Sequence, residues 1–231
     1  MVFTNKSTPI DIKLNIDGSE IHIVDQSKFL GVIIDKKLNW SKHISYISGK
    51  VARGLGILIK ARKYLPKDAM LSLYYSFIYP YLTYCNIVWG TAYASHLEKL
   101  KILQKRAIRI IAGVKPREQT APLYQKLNLL KLDEINKLSI GRFMFKVFRC
   151  QIVDIFQELF CRNCDIHLHN TRQSLNYHLP NVRTNLGKKG IRFQGAYIWN
   201  KIMKIGIPND CSEAVFSISL KKALITNQLT D

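Results

Sequence analysis

The change from strand-like to helical sequence at Phe29–His43 (FLGVIIDKKLNWSKH) is the feature that most limits the fold. The run Phe29–Ile34 is short, apolar and interrupted by one glycine. It predicts a buried strand with one point where another backbone or a ligand comes close. The charged triplet Asp35–Lys37 predicts a turn, and Asn39 or Ser41 offers a side-chain oxygen to cap the helix that follows. We therefore expect a mainly α fold with a small N-terminal antiparallel β element.

The residues before this point form a strand pattern. Asp11–Ile16 and Glu20–Val24 alternate apolar with other residues on either side of Asp17-Gly18. An Asp-Gly pair between two such runs predicts a hairpin, because glycine adopts the positive φ that a tight two-residue turn requires. Together with Phe29–Ile34, these runs predict three strands.

The charge balance restricts the class of partner. The 231 residues include 35 Lys+Arg and 16 Asp+Glu, which gives a net charge of +19 and an isoelectric point of about 9.8. Such an excess attracts polyanions over long distances. It predicts nucleic acid first and an anionic membrane surface second. We expect nucleic acid as the partner, with no membrane and no small-molecule substrate.

The cysteines and the N-terminus bear on the compartment. Five cysteines, an odd number in a chain large enough to bury a core, predict reduced thiols rather than disulfides. Met1–Asn5 has neither the charged region nor the apolar region of a signal peptide. We expect an intracellular, reducing compartment, with nucleus and cytoplasm both open.

A first amphipathic helix with a basic face is predicted from Ser41 to Tyr64. Its apolar face consists of Ile44, Ile47, Val51, Leu55, Leu58 and Ile59, and its opposite face carries Lys50, Arg53, Lys60 and Lys63. The stretch Lys50–Lys63 contains no acid, so no ion pair along the helix offsets the repulsion. The basic face is either an ordinary solvated surface or a surface that contacts a polyanion.

A second basic helix is predicted to begin at a capping box, Ser95–Glu98, and to end at Gly113. Its core face consists of Leu97, Leu100, Leu103, Ala107, Ile108 and Ile111, and its other face carries Lys99, Lys101, Lys105, Arg106 and Arg109. Glu98 is the one acid among them. This density of positive charge favours phosphate contact over a solvated face.

The uncharged stretch Ala69–Ser95 has the length of a membrane span. Pro80 and many tyrosine hydroxyls argue against that reading, because lipid leaves such polar groups unsatisfied. A buried helix from Lys67 to Tyr79, followed by an aromatic loop around Trp89, is the better prediction. Its tyrosines are either core residues or a surface for base stacking.

The segment Cys161–His169 suggests zinc, since Cys161 and Cys164 have the spacing of a metal clamp and His167 and His169 follow closely. The interval is too short for an ordinary zinc finger, and the alternative is two buried or idle thiols and two loop histidines. A zinc-dependent nucleic-acid-binding regulatory protein is therefore one alternative function.

Further helices are predicted at Tyr124–Leu127, Leu132–Phe148 and Ile152–Phe160. The tail from residue 171 is basic and lacks helical period, which predicts an irregular layer of strands and loops. Within it, Phe193–Ile202 predicts a helix anchored by Trp199, and Ser212 predicts the cap of a last helix.

Three blocks in this order resemble one family: FLGVIIDKKLNWSKH, YPYLTYCNIVWG within Leu73–Gly90, and HNTRQS…VRT…GIRFQGAYIWNKI within His169–Ile202. The set is similar to the reverse transcriptases of LINE-type non-LTR retrotransposons of the jockey-like group. The series of blocks extends over nearly the whole chain.

The resemblance implies a set of domains and roles. Residues 1–36 would be palm-edge strands with a primer-grip-like hairpin at Phe29, Leu30 and Gly31. Residues 37–115 would be a thumb-like helical bundle whose basic faces follow the template–primer duplex. Residues 116–165 would be a helical connection, and residues 166–231 an irregular, basic α+β C-terminal layer. In that layer, Arg172 and Arg183 lie in the matched blocks.

The sequence also departs from the family. The family places two Mg²⁺ ions on an adjacent Asp pair and a third, upstream Asp, and this sequence contains no Asp-Asp pair. In the family that Asp pair lies on a hairpin, and Met1–Phe3 resembles a position just after it, so fingers and most of the palm would lie upstream. We expect a truncated fragment that has no cofactor and no catalysis of its own and binds RNA, DNA or RNA–DNA hybrid. A palm supplied by another chain is a possible partner, and a decayed relic without selected activity is the alternative.

Overall fold

The computed structural model describes residues 1–4, 14–166, 172–226 and 229. Within these residues the chain folds into two small β-hairpins followed by twelve helices. The predicted fold class, mainly α with a small N-terminal antiparallel β element, is confirmed.

The first hairpin pairs β1 (Leu14–Ile16) with β2 (Ser19–Ile21) in antiparallel register. Asp17 and Gly18 form its turn with φ values of 50° and 77°, so the Asp-Gly signal predicted this turn correctly. Positions 11–13 of the predicted first strand lie outside the described residues.

The second hairpin corrects the prediction of one buried strand at Phe29–Ile34. The run is divided between β3 (Gln26–Phe29) and β4 (Val32–Asp35), which pair in antiparallel register. Leu30 and Gly31 form the turn, with φ values of 45° and 82°. The apolar residues at this turn suggested a continuous strand, but the glycine allows the chain to reverse. The described β element is thus two separate two-stranded sheets.

The helices have the following bounds: α1 Ser41–Ala61, α2 Lys67–Phe77, α3 Tyr79–Thr83, α4 Asn86–Trp89, α5 Ala94–Ala112, α6 Ala121–Lys126, α7 Leu132–Phe148, α8 Asp154–Gln157, α9 Asn163–Ile166, α10 Asn185–Lys189, α11 Ile191–Lys204 and α12 Glu213–Ile225. The bounds of α7 match the prediction. In place of an aromatic loop, α3 and α4 follow α2, since Pro80 fits the first turn of a new helix. None of the helices described is long and apolar enough to cross a membrane.

The helix ends agree only partly with their sequence signals. The cap residue of α1 is Trp40 in the left-handed conformation, although the Asn39 side chain does accept the Ser41 N–H at 3.0 Å. The capping box predicted at Ser95–Glu98 is wrong, because α5 begins one residue earlier and places Ser95 inside the helix. Gly113 ends α5 with a φ of 70°, as predicted.

One continuous apolar core connects the helices. α1 packs along α5, and α7 packs against α4, α11 and α12. Trp199 is buried, with ring centroids 5.4 Å from Phe148 and 5.8 Å from Phe216. The predicted anchor role of Trp199 is confirmed. The Ser212 hydroxyl accepts the Val215 N–H and caps α12, also as predicted.

A buried amide fixes how α5 meets its neighbours. The Gln104 Nε2 donates to the Tyr74 hydroxyl at 3.1 Å and to the Leu130 carbonyl at 2.9 Å, while its Oε1 accepts the Leu132 N–H at 3.0 Å. Burial raises the pKa of the Tyr74 hydroxyl, so it stays protonated. A buried amide with these partners specifies one arrangement of α2, α5 and α7.

Replacing Trp199 with alanine should lower the free energy of unfolding by roughly 3–5 kcal/mol, because it leaves a cavity among packed rings. Denaturant unfolding followed by far-UV circular dichroism measures the loss. Tyr64→Ala is the control, since the Tyr64 side chain is 84% exposed and should matter by less than about 0.5 kcal/mol. An unchanged Trp199→Ala midpoint would contradict the anchor role.

Candidate nucleic-acid interface

The outer face of α1 carries positively charged side chains that no described ion pair offsets. Arg53, Lys60 and Lys63 are exposed and Lys50 is half-buried, whereas five of the six predicted core residues are buried and Ile59 is partly so. From position 36 to position 67 the chain has nine Lys or Arg residues and no Asp or Glu. Within the described chain none of the four cations named forms an ion pair.

The outer face of α5 is similar, with one correction. Lys99 and Arg106 are exposed, and Lys105 and Arg109 are half-buried. Lys101, however, pairs with Asp133 at 2.7 Å, so its charge is offset. Because α1 packs along α5, the two basic faces lie on neighbouring helices, and Arg62, Arg106 and Arg109 line a common cavity.

The tip of the second hairpin is apolar and exposed. The Phe29 side chain is 63% exposed and that of Leu30 is 73% exposed. The Tyr84 hydroxyl donates to the Leu30 carbonyl at 2.6 Å, and the Tyr84 ring lies 3.4 Å from where a Cβ on Gly31 would be. The sequence predicted that another backbone or a ligand comes close at Gly31, whereas the structure has the side chain of Tyr84 there, and this contact holds the tip.

A cation–aromatic stack joins the hairpin to the basic face of α1. The ammonium of Lys28, on β3, lies 5.5 Å from the centroid of the Tyr46 ring, and that of Lys50 lies 5.4 Å from it. Tyr46 and Lys50 are one turn apart on α1. An attractive contact with the ring offsets part of the repulsion between the two ammonium groups.

Two polar residues that the sequence patterns did not reveal fix the same junction. The Asp35 carboxylate accepts the backbone N–H groups of Lys37, Asn39 and Trp40 at 3.0–3.3 Å. The His43 Nδ1 accepts the Ile33 N–H at 3.3 Å, and its ring packs edge-on against Trp89. Their partners lie on other elements, so periodicity carries no signal for them. An isolated Asp or His at a strand or helix end is the one hint that the sequence offers.

His43 is 1% exposed, and burial lowers its pKa from the ordinary value of 6.5. The neutral ring is the form that can accept the Ile33 N–H through Nδ1. The junction between β4 and α1 is thus built around an uncharged histidine.

Within the described chain, the predicted site residues of the C-terminal layer form no bonds with the two basic helices. Arg172 and Arg183 are both exposed. In the described part of the chain no hydrogen bond or ion pair links either of them to α1 or α5. The structure brings together α1, α5 and the second hairpin, and among the described residues no bond ties these two arginines to that group.

No metal centre emerges from the described residues. Cys161 and Cys164 are exposed free thiols, and no group of three potential metal ligands occurs there. His167 and His169, the other members of the zinc hypothesis, lie outside the described residues.

A cavity of about 480 Å³ lies between α4, the start of α1 and the α10–α11 segment. Its lining is mainly apolar, and the polar side-chain groups belong to Asn39, Trp40, Thr91, Tyr93 and Lys189. The Lys189 ammonium lies 3.2 Å from the centroid of the Tyr93 ring, and burial lowers the pKa of Lys189. The lining contains no carboxylate, imidazole or thiol group.

Comparison with known proteins identifies relatives of the chain. It is 34% identical over 125 residues to the RNA-directed DNA polymerase from mobile element jockey of Drosophila melanogaster. The aligned stretch covers 52% of this chain and 14% of that protein. It is 32% identical over 118 residues to the probable RNA-directed DNA polymerase from transposon X-element of the same species, 49% of this chain and 13% of the relative. It is 25% identical over 136 residues to the probable RNA-directed DNA polymerase from transposon BS of the same species, and that stretch covers 57% of this chain and 15% of the relative.

These relatives define the class of protein to which the matched half is related. About half of the chain is homologous to RNA-directed DNA polymerases of jockey-like non-LTR retrotransposons, which confirms the resemblance to this group over that half. The matched stretch covers 13–15% of the length of each relative. No protein-family model matches the sequence, and no solved structure matches it.

The buried His43 should make stability depend on pH. Because its folded pKa is depressed, its contribution is full above about pH 6.5 and is lost as the pH falls through the lowered folded value. Denaturant unfolding between about pH 7.5 and 5.5 should show this loss in the wild type. His43→Gln should flatten it, since the amide oxygen accepts the Ile33 N–H without titrating.

His22→Gln is the matched control, because His22 is exposed on the segment after the first hairpin. It should retain the pH profile of the wild type. Parallel profiles for the wild type and His43→Gln would show that the junction does not depend on a neutral His43.

Proposed function

We propose that this chain is a nucleic-acid-binding, non-catalytic part of a reverse transcriptase and that it grips RNA, DNA or RNA–DNA hybrid through the basic faces of α1 and α5. The observation that carries the proposal is the pair of adjacent cationic surfaces on two helices packed side by side, since the sequence of α1 contains no acid and that of α5 contains only Glu98. A solvated surface gains nothing from such concentrated like charge, whereas a phosphate backbone neutralises it. The homology to RNA-directed DNA polymerases supports the same partner.

The number of cations sets the strength of the salt dependence. The candidate phosphate-binding residues on the two helices are Lys50, Arg53, Lys60, Lys63, Lys99, Lys105, Arg106 and Arg109. Each phosphate neutralised on a duplex contributes roughly −0.9 to the slope of log affinity against log salt. Neutralisation of one phosphate by each of them would give a slope of roughly −7, and engagement of one helix would give about half of that.

The roles of the remaining segments follow the family pattern as proposals. The helices in residues 37–115 act as the thumb, and the second hairpin, in residues 1–36, acts as the primer grip through Phe29, Leu30 and Gly31. The stack of Lys28, Tyr46 and Lys50 supports this, because it places the hairpin beside the first basic face. Residues 116–165 connect the thumb to the C-terminal layer, in which Arg172 and Arg183 add further phosphate contacts.

A palm domain is the proposed protein partner of the N-terminal hairpins. Seven large apolar side chains are exposed there, a density that a free surface rarely carries: Phe3, Ile16, Ile21, Ile23, Val24, Phe29 and Leu30. Such a surface fits a contact that is completed by the polymerase core, whether from the same polypeptide or from another chain.

Catalysis lies outside this stretch of sequence in the proposal. Two-metal phosphoryl transfer needs clustered carboxylates, and the sequence has no Asp-Asp pair. Among the described residues no potential metal-ligand cluster exists. Extension of a primer by the purified chain, with Mg²⁺ and nucleotides supplied, would overturn this part of the proposal.

Charge reversal on α5 should weaken binding. Changing Lys105, Arg106 and Arg109 to glutamate should reduce affinity for a labelled RNA–DNA hybrid about equally for all sequences. The salt slope should flatten by roughly 0.9 for each phosphate that the variant no longer neutralises. Fluorescence anisotropy titrations at several salt concentrations measure both quantities.

The matched control is the charge reversal of Arg192, Lys204 and Lys222, which are exposed on α11 and α12. It changes the net charge by the same amount, so it separates local contact from overall charge. If the α5 variant behaves like this control, or if the wild type binds weakly and shows no salt slope, the basic faces do not bind nucleic acid. They are then a solvated surface inherited from the family.

A further inference from the structure

A cavity between the C-terminal halves of α1 and α5 combines arginines with an apolar floor. It has a volume of about 410 Å³, within the range of roughly 300–1,000 Å³ that is typical of ligand sites. Arg62 enters from the end of α1, and Arg106 and Arg109 enter from α5. Ile59 and Ile102 are among the aliphatic residues that complete the lining, and no carboxylate belongs to it. We name it the arginine cleft.

The guanidinium groups of the cleft are available to a ligand. Arg62 and Arg106 are exposed and form no ion pair within the described residues. The Arg109 Nε donates to the Glu118 carbonyl at 2.8 Å, which fixes that guanidinium at the rim while leaving its other N–H groups free of ion pairs. Guanidinium groups bind phosphate oxygens in pairs and stack on planar rings.

The proposed phosphate contacts of α5 do not explain why the apolar side chain of Ile102 is exposed. Its side chain is 55% exposed, although it lies one turn from Lys99 on one side and from Arg106 on the other. A duplex presents charged phosphates to such a face and keeps its bases stacked inside. An unpaired nucleotide presents a flat apolar base as well as its phosphate, and both have a partner here.

We propose that the arginine cleft binds one unpaired nucleotide of a single-stranded extension next to a duplex. The guanidinium groups hold the phosphate, and the base lies on the aliphatic floor at Ile59 and Ile102. The floor offers no hydrogen-bonding groups to base edges, so base identity matters little. This inference rests on the proposed function, because it assigns a strand type to one end of the same basic surface.

The test compares a blunt RNA–DNA hybrid with the same hybrid carrying a four-nucleotide single-stranded extension that contains 2-aminopurine. Anisotropy gives the affinity of the full-length chain for each, and 2-aminopurine fluorescence reports transfer of a base out of its stack. We expect the extension to raise affinity about tenfold, from one added phosphate contact and the burial of one base face on the aliphatic floor. The fluorescence should rise on binding.

Two matched pairs of variants locate the effect. Ile102→Gln removes the apolar floor without a change in charge, and Ile57→Gln is its control, because Ile57 is also exposed but lies on α1 outside the cleft. Arg62→Gln removes a guanidinium of the cleft, and Lys67→Gln removes the same charge from an exposed position that belongs neither to the cleft nor to the proposed phosphate-binding residues. Ile102→Gln and Arg62→Gln should lose the gain from the extension, and the two controls should keep it.

The outcomes separate the inference from the function on which it rests. Failure of the wild type to bind either nucleic acid removes both. Binding of the blunt hybrid with no gain from the extension overturns the inference alone. A gain that persists in Ile102→Gln also overturns it, because the unpaired base then lies elsewhere. Circular dichroism spectra that match the wild type exclude misfolding of the variants.

Discussion

The packing of α1 along α5 is the contact on which the rest of the structure depends, because it holds two positively charged faces beside each other. Burial of a large apolar side chain contributes about 1.5–3 kcal/mol. Five such residues of α1 are buried, and α5 meets them with Leu97, Leu100, Ile108 and Ile111. Two exposed like charges 4 Å apart repel by about 1 kcal/mol in water, and salt reduces this further. Burial therefore outweighs repulsion.

The same balance explains why the surface is suited to a polyanion. Each cation that remains unpaired on α1 or α5 costs a little stability in the free protein, and a phosphate removes that cost when it binds. Salt acts in opposite directions on the two processes, since it screens the repulsion within the fold and competes with the phosphates. Lys101 shows the contrasting case, because its pairing with Asp133 serves the contact of α5 with α7.

Sequence periodicity correctly predicted those features of the fold that depend on burial of one helix face. The bounds of α7 and the core positions of α1 and α5 follow from the 3.6-residue repeat, which tertiary packing preserves. The same reasoning failed at Phe29–Ile34, where apolar residues at an exposed turn resembled a buried strand. It also missed Gln104, His43 and Asp35. Their roles depend on partners in other elements, and a single chain gives no sign of which residues will meet there.

The junction between the second hairpin and α1 shows how Asp35 and His43 join two parts of the candidate site. The first turn of α1 has no acidic side chain and its cap residue, Trp40, offers no side-chain oxygen, so the acceptor for the Ser41 N–H comes from the Asn39 side chain. Asp35, at the end of β4, brings a carboxylate to the N–H groups that precede the helix, and His43 bonds back to β4 from its first turn. The chain between them is held at both ends. Because Lys28 also contacts Tyr46, β3 of the second hairpin is joined to the basic face of α1 as well, and the proposed contact with a primer end and its duplex depends on this arrangement.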